Sequence, residues 1–498
     1  MRKAIAAAST LVLFSVLALV PAQAQAPGEI SFRDRPTPPE GRMGERLQSL
    51  LQALNSGSPD RIRRFLDEDC DESFRKTAPA DRHIGALLGT LRDTGGLDFH
   101  AVRLYTPERK DDTVVIAKDR TYGSWRALVL RFGPAPEFLI TRLSFNDART
   151  PSDVSEPALT RASAEREIAA LVDRLVGKGV FSGAALVARG ETVLLAKAAG
   201  EADKSFHVPN NVDTKFNLGS MNKMFTSTAA VRLVEQGKLS YDDRIGKFLD
   251  ESWLPKDVTD RITVRHLLTH SSGLGSYFNQ EYERSSRELF RKLDDYKPLI
   301  RNDRPAFTPG ERFQYSNTGM FLLGVIIEKA TGEDYFGHIS RVIYQPAGMK
   351  NSDCYEMDYP VENLAVGYSP DWKSPYGWQN NYYKHVIKGG PAGGGFSTVR
   401  DLHRFALALR SGKYVSQESL KTMWTDQLGA NYGFGFSVTK GPEGRVVGHS
   451  GGFFGINSQL DIYLDSDYVV AVMSNVDMGA SPLARAIRKL IARIQPGS

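Results

Sequence analysis

The order of strand-like and helix-like stretches constrains this chain most. Two apolar runs, Gly183 to Ala188 and Thr192 to Ala198, flank Arg189-Gly190 and read as a hairpin. Further strand-like runs, Phe434 to Thr439, Val446 to His449, Asn457 to Leu464 and Val469 to Ser474, come only near the far end. Helical patterns fill the space between, and helices are also expected from Ala162 to Val176 and after Ser481. Strands at both ends with helices between predict an α/β fold of the α+β kind. One antiparallel sheet is assembled from distant parts of the chain and flanked by helices, with a mostly helical insertion beside it.

That insertion contains a stretch from Ser220 to Gln236 that reads as a buried helix, with Met221, Phe225, Thr228, Ala229 and Val231 inside it and Gly237 ending it. Gly219 allows a tight turn at its start. A residue and its third neighbour share a helix face, with β-carbons about 5 to 6 Å apart, so Lys223 falls beside Ser220. The serine sits at the positive end of the helix dipole. A serine hydroxyl is a weak nucleophile until a neighbouring group takes its proton and donors await the oxyanion. Ser-x-x-Lys also occurs at Ser73 to Lys76 and Ser437 to Lys440, but the first lies in a charged stretch and the second runs into the turn-like Gly441-Pro442-Glu443-Gly444. Neither begins an apolar helix. Downstream come Tyr315-Ser316-Asn317 and His449-Ser450-Gly451.

From about Ala162 to Ser474 the chain resembles the serine beta-lactamase and penicillin-binding-protein superfamily, in the branch of class C beta-lactamases, D-aminopeptidases, DD-carboxypeptidases and related esterases. The three motifs carry the resemblance. So do His266 to Leu274, Phe313 to Asn317 leading into Gly324 to Glu328, Ala392 to Thr398, and the run from Gly448 through Gly455 to Asn475. The resemblance implies Ser220 as acylated nucleophile, Lys223 as its proton acceptor in a role shared with Tyr315, which of the two takes the proton being left open, and Tyr315 as second acid or base, acting in deacylation. It implies Asn317 as a partner of substrate and of Lys223, and His449 and Gly451 as the substrate-binding edge of a strand. The amides of Ser220 and Gly452 would form the oxyanion hole. No metal or organic cofactor is implied. Lysine can serve as base only if burial or nearby positive charge lowers its pKa.

His449 departs from the Lys-Thr-Gly of beta-lactamases. A histidine with an ordinary pKa of about 6.5 offers a lactam carboxylate little charge near neutrality, so peptidase or esterase substrates are favoured over lactams. Lactam activity is expected to rise as pH falls toward that pKa, and a lysine at this position is expected to narrow the gap. The function expected is a secreted or periplasmic serine hydrolase acting through an acyl-enzyme on a peptide, amide or ester. The alternatives are a non-catalytic module that binds cell-wall peptide and a true class C-type lactamase.

Of the 498 residues 41% are hydrophobic and 24% charged, enough for a large core. The net charge of +5 includes Arg2 and Lys3 and is too scattered to point to nucleic acid. Arg2, Lys3, the apolar run Ala4 to Val20 and Ala22-Gln23-Ala24 have the form of a cleavable export signal spanning residues 1–24, which would leave no stable membrane insertion after cleavage. Cys70 and Cys354, the two cysteines, are expected as buried or free thiols.

Residues 43–146 read as a separate unit of helices followed by an antiparallel sheet, similar in pattern to the cone-shaped NTF2-like fold, with 147–160 as linker and 161–498 as the hydrolase. A homodimer surface or a spacer is the role this unit suggests, since no titratable cluster stands out in it. His266 and His270 lie one helical turn apart, but without the glutamate of a zinc motif they are expected to pack or stabilise turns. Gly393 to Gly395 lack a P-loop lysine and are expected to form a tight structural loop. The aromatic run Trp372 to Tyr383 suits a substrate wall or a surface lid equally.

Overall fold

A computed structural model describes residues 31–495 apart from 110 and 179. The expected export signal lies outside the described residues. The N-terminal unit consists of β1 (Ser31–Arg35), α1 (Gly41–Ser56), α2 (Pro59–Asp69), α3 (Glu72–Arg75), α4 (Ala80–Thr94), β2 (Leu97–Thr106), β3 (Thr113–Asp119), β4 (Trp125–Phe132) and β5 (Ile140–Asp147). The strands form one antiparallel sheet in sequence order. The helical stripe Leu47, Leu50 and Leu54 packs with Ile62, Phe65, Ile84 and Leu87 onto Val115, Leu128 and Leu130 of the sheet.

Strand β1 was not evident from the sequence, which places the start of this unit at Met43. Its composition, Ser-Phe-Arg-Asp-Arg, lacks a strand's apolar alternation. It nevertheless pairs with β2 along its whole length, Ser31 opposite Thr106 to Arg35 opposite Val102. Arg103 makes it possible: the guanidinium bonds Asp34 at 2.8 and 3.0 Å, and both side chains are buried. The same Asp34 accepts from the Ser152 backbone at 2.9 Å, pinning the linker to the unit. Ala148 and Val154 of the linker cover Val114, Ile116 and Trp125 on the other sheet face.

The second unit opens with α5 (Arg161–Gly177), β6 (Gly183–Arg189) and β7 (Thr192–Ala199). Its sheet is completed by β8 (Ser437–Gly441), β9 (Gly444–Phe453), β10 (Ile456–Tyr463) and β11 (Tyr468–Ser474), in the order β8-β9-β10-β11-β6-β7. Every pair is antiparallel, with Ser474 opposite Gly183 joining the two ends of the chain. Strand β9 runs four residues beyond the expected end at His449, because β10 continues to pair with it as far as Phe453 opposite Ile456.

One face of this sheet is covered by α5 and the last helix, Ala480–Ala492, through Ile168, Leu171, Val172, Leu483 and Ile487. The other face meets the helical insertion in the largest core, which includes Met224, Phe225, Phe321, Leu323 and Phe405.

The two units touch. Tyr122 packs against the α5 cluster, Asp147 pairs with Arg485 at 3.3 Å, and Lys373 pairs with Asp81. Leu159, after the linker, bridges to Ile494 and exchanges backbone hydrogen bonds with Arg493 and Gln495. A fragment beginning near Thr150 keeps that bridge and the whole second sheet. It is expected to fold and to hydrolyse small esters at close to the full-length rate, with a lower Tm from the lost interface. Circular dichroism melting and ester assays on both forms check this; a folded fragment without activity would show that the N-terminal unit completes the site.

Candidate active site

Ser220 lies in a 3₁₀ turn, Gly219–Met221, that leads directly into α6 (Asn222–Glu235). The turn depends on close backbone approach. Gly219 has φ +50°, and a β-carbon there would come within 2.8 Å of the Gly452 nitrogen. Likewise a β-carbon on Gly451 would come within 1.9 Å of the Leu218 carbonyl, and one on Gly393 within 2.8 Å of the Gly219 carbonyl. Asn217 accepts from the Gly219 amide at 2.8 Å and donates to the Gly394 carbonyl at 3.1 Å. Asn222 ties the same glycine loop to the helix, donating to the Gly390 carbonyl at 3.2 Å and accepting from the Gly395 amide at 3.1 Å.

Lys223 is 0% exposed. Its Nζ is 3.0 Å from Ser220 Oγ and 2.9 Å from Asn317 Oδ1, and it also meets the Ala392 carbonyl. Asn317 is held with its oxygen toward Lys223 because its Nδ2 donates to Ser276 Oγ at 3.2 Å. Desolvation pushes the Lys223 pKa well below the ordinary lysine value. A neutral amine has two N–H bonds and one lone pair. Asn317 Oδ1 and the Ala392 carbonyl can only accept, so they take both N–H bonds and the lone pair is left facing the Ser220 hydroxyl. That is the geometry of a general base.

Tyr315 precedes Ser316, whose Oγ caps the helix α7 (Asn317–Thr331) by accepting from the Gly319 amide at 2.8 Å. The Lys223 ammonium position lies 4.8 Å from the Tyr315 ring centroid, and the Tyr315 hydroxyl hydrogen-bonds Ser220. Burial raises the Tyr315 pKa above the ordinary phenol value, partly offset by that bond. Burial therefore makes the phenol hold its proton more tightly and the lysine hold its own less tightly than usual. The pair is poised as base and acid on either side of one hydroxyl.

Strand β9 pairs with β8 only up to Gly448 opposite Ser437, which frees one edge of His449 to Phe453 beside the Ser220 turn. Gly451 and Gly452 pack against Leu218 and Gly219, so the Gly452 amide is brought next to that of Ser220. His449 is placed differently from the expectation that it faces an anionic substrate group. It is 5% exposed, Nε2 lies 3.0 Å from the Tyr432 hydroxyl, and Nδ1 bonds the Ser450 carbonyl. With both nitrogens engaged inside the protein, the ring has no hydrogen bond left for the cleft. Desolvation is the main cause that lowers its pKa to about 3, and a proton on Lys223 adds to it.

The beta-lactamase family model matches residues 168–493. The chain belongs to that family. It is 31% identical over 327 residues to Penicillin-binding protein 4* of Bacillus subtilis (strain 168), covering 62% of this chain and 71% of that one. Over 232 residues it is 31% identical to Esterase EstB of Burkholderia gladioli, covering 44% and 58%. A solved D-stereospecific amidohydrolase from Streptomyces sp. superposes with a TM-score of 0.54 at 26% identity, over 66% of this chain and 97% of that one.

Several residues around the family motifs carried no sequence signal. Tyr432 stands in no motif, and the Ala392 carbonyl, as a backbone group, could not be read from side-chain types. Asn222 stood inside Ser-x-x-Lys, where its amide was legible only as a helix residue. His266 accepts from the Thr263 amide at 3.2 Å and caps its own helix, while His270 turns toward Tyr432 at 3.2 Å. The two histidines do not share a ligand position. The aromatic run is mostly at the surface, with Tyr376 86% and Tyr383 89% exposed, and Trp372 packs over Gly85 of the N-terminal unit. Cys70 and Cys354 are buried free thiols.

Ser220→Ala is expected to abolish fluorophosphonate labelling, and Lys223→Arg, which has no lone pair to offer, to lower acylation by about 10³-fold or more. Ser73→Ala and Ser437→Ala should leave both intact. Intact-mass kinetics on the four variants check this. Because the neutral amine is the active form, kcat/KM should fall as pH is lowered through the depressed Lys223 pKa.

Acid lability follows from the buried histidines. Desolvation lowers His385 to about 4 and His449 to about 3, whereas the unfolded chain takes up these protons near 6.5. The unfolded state then binds more protons, so stability present above pH 6.5 is lost as pH falls. The loss is about 2 kcal/mol at pH 5 for each histidine held neutral. Urea midpoints at pH 7.5 and 5 should show it, with a shallower dependence in His385→Gln.

Proposed function

We propose that the protein is an exported serine hydrolase that forms an acyl-enzyme at Ser220 with uncharged small peptides, amides or esters. The observation that carries the reading is the buried amine of Lys223, whose two N–H bonds go to carbonyl oxygens and whose lone pair faces Ser220 Oγ. Ser220 Oγ attacks the substrate carbonyl carbon and its proton passes to Lys223 Nζ. The carbonyl π electrons move onto oxygen, between the amides of Ser220 and Gly452. Collapse re-forms the carbonyl and breaks the bond to the leaving group, which takes a proton from Tyr315, and the Lys223 proton then restores the phenol. Water attacks the ester along the reverse path, giving its proton to the same pair and releasing acid and free Ser220.

The preference for uncharged substrates rests on the inward His449 and on the walls of the cleft. Phe278, next to the Ser276–Asn317 bond, stacks on Phe453, which follows Gly452, with ring centroids 5.5 Å apart. This pair offers apolar surface at the far end of the same strand from His449. The names penicillin-binding protein, esterase and amidohydrolase among its relatives agree with acyl transfer at such a serine. Export rests on the Arg2 to Ala24 pattern alone.

The expected rise of lactam activity toward pH 6.5 does not survive a His449 pKa of about 3. A lysine placed there would replace a ring that is 5% exposed and bonded to Tyr432, and would have to leave that buried position to meet a substrate carboxylate. We expect kcat/KM for p-nitrophenyl acetate to exceed that for nitrocefin by about 100-fold, since a missing charge-assisted bond alone forfeits about 1 to 3 kcal/mol. The ratio should be flat from pH 5 to 8 and unimproved in His449→Lys. Efficient nitrocefin turnover by the wild type would refute the preference and favour a lactamase.

A further inference from the structure

Behind Tyr315 runs a line of buried polar side chains that no family motif accounts for. His270 is fully buried and lies in the left-handed region at φ +53°, uncommon for a residue with a side chain. Its ring is 4.4 Å from that of Tyr315. The Ser316 amide donates to His270 Nδ1 at 3.1 Å, so Nδ1 is unprotonated and the neutral ring carries its proton on Nε2. That proton points at the Tyr432 hydroxyl, 3.2 Å away. Tyr432, having accepted, has one proton of its own to place, and His449 Nε2 is the acceptor at 3.0 Å. The His449 proton is then on Nδ1, directed at the Ser450 carbonyl.

A backbone donor at one end and a backbone acceptor at the other thus determine the position of every proton in the line. A second proton on either imidazole would set two donors against each other. The titratable groups packed around the line are Lys223 and Tyr315, and a positive charge on Lys223 opposes protonation of both histidines.

We propose that Tyr432 is a positioning and specificity residue for acyl transfer. By donating to His449 Nε2 it occupies the free lone pair of an imidazole that burial already keeps neutral and that the Ser450 carbonyl holds in the Nδ1–H form, and it keeps the ring turned from the cleft, so the substrate-facing edge of β9 carries no charge. The role of His270 is to supply the hydrogen bond that orients the Tyr432 hydroxyl. The motif histidine does not choose the substrate by its own titration; burial keeps it neutral and its orientation is held from behind. The inference rests on the acyl-enzyme reading only for its kinetic consequence.

Two-bond ¹H–¹⁵N spectra of the full-length protein labelled with ¹⁵N-histidine, assigned with His270→Gln and His449→Gln, test the line directly. The expected result is Nε2–H for His270 and Nδ1–H for His449, unchanged between pH 8 and 5. In Tyr432→Phe, Nε2 loses its donor and the ring is free to turn toward the cleft and its water, so His449 should titrate within that range. The nitrocefin to p-nitrophenyl acetate ratio of kcat/KM should then rise about tenfold on acidification, the scale of one hydrogen bond. A wild-type His449 that titrates between pH 5 and 8, or is protonated on Nε2, overturns the proposal even if Ser220 acylates normally. An unchanged substrate ratio in folded Tyr432→Phe overturns the specificity role. Intact tautomers without acylation of Ser220 would instead refute the acyl-enzyme reading.

Discussion

The burial of Lys223 is the constraint on which the rest of the site depends. An ammonium with no water around it is costly, and an amine in the same place costs far less. Two carbonyl-type oxygens can stabilise the amine without restoring the charge, and they also dictate where its lone pair points. A carboxylate partner would have held the lysine protonated and removed the base. Asn317 and Ala392 are therefore suited to the task because they are neutral acceptors, and Ser276 and the glycine loop matter because they hold those acceptors in place.

The loop that supplies Ala392 and the strand that supplies Gly452 both press against the turn that carries Ser220. Such proximity requires glycine: β-carbons at Gly219, Gly393 and Gly451 would each fall within 2.8 Å of a backbone atom. Asn217 and Asn222 then satisfy the backbone groups that the tight packing removes from water, as buried polar groups must be. Thus three distant stretches, the start of α6, the glycine loop and the edge of β9, share one small volume, and the pKa shifts of Lys223 and Tyr315 follow from that crowding.

Much of this was legible beforehand. The six-stranded sheet could be read because its strands are apolar runs separated by turn residues, and α6 because apolar residues such as Phe225, Ala229 and Val231 recur along it until Gly237. The proximity of Ser220 and Lys223 followed from helix geometry alone. Strand β1 was not legible, since its arginines and aspartate look like surface residues until Arg103 pairs with Asp34. The end of β9 was misjudged because Ser450-Gly451-Gly452 has no strand propensity and is held extended by pairing with β10.

The chain's sequence by itself determined the fold class and the placing of Ser220 beside Lys223, because periodicity and a three-residue helical spacing are local properties. Only the tertiary structure decided what His449 does. The sequence offers a histidine where beta-lactamases have the lysine of Lys-Thr-Gly and predicts a titrating contact to substrate. Burial keeps it neutral, and Tyr432 and His270, from separate stretches of the chain, hold it facing inward. Protonation and orientation depend on which donors and acceptors meet in the folded core, and a linear order of residues does not record that meeting.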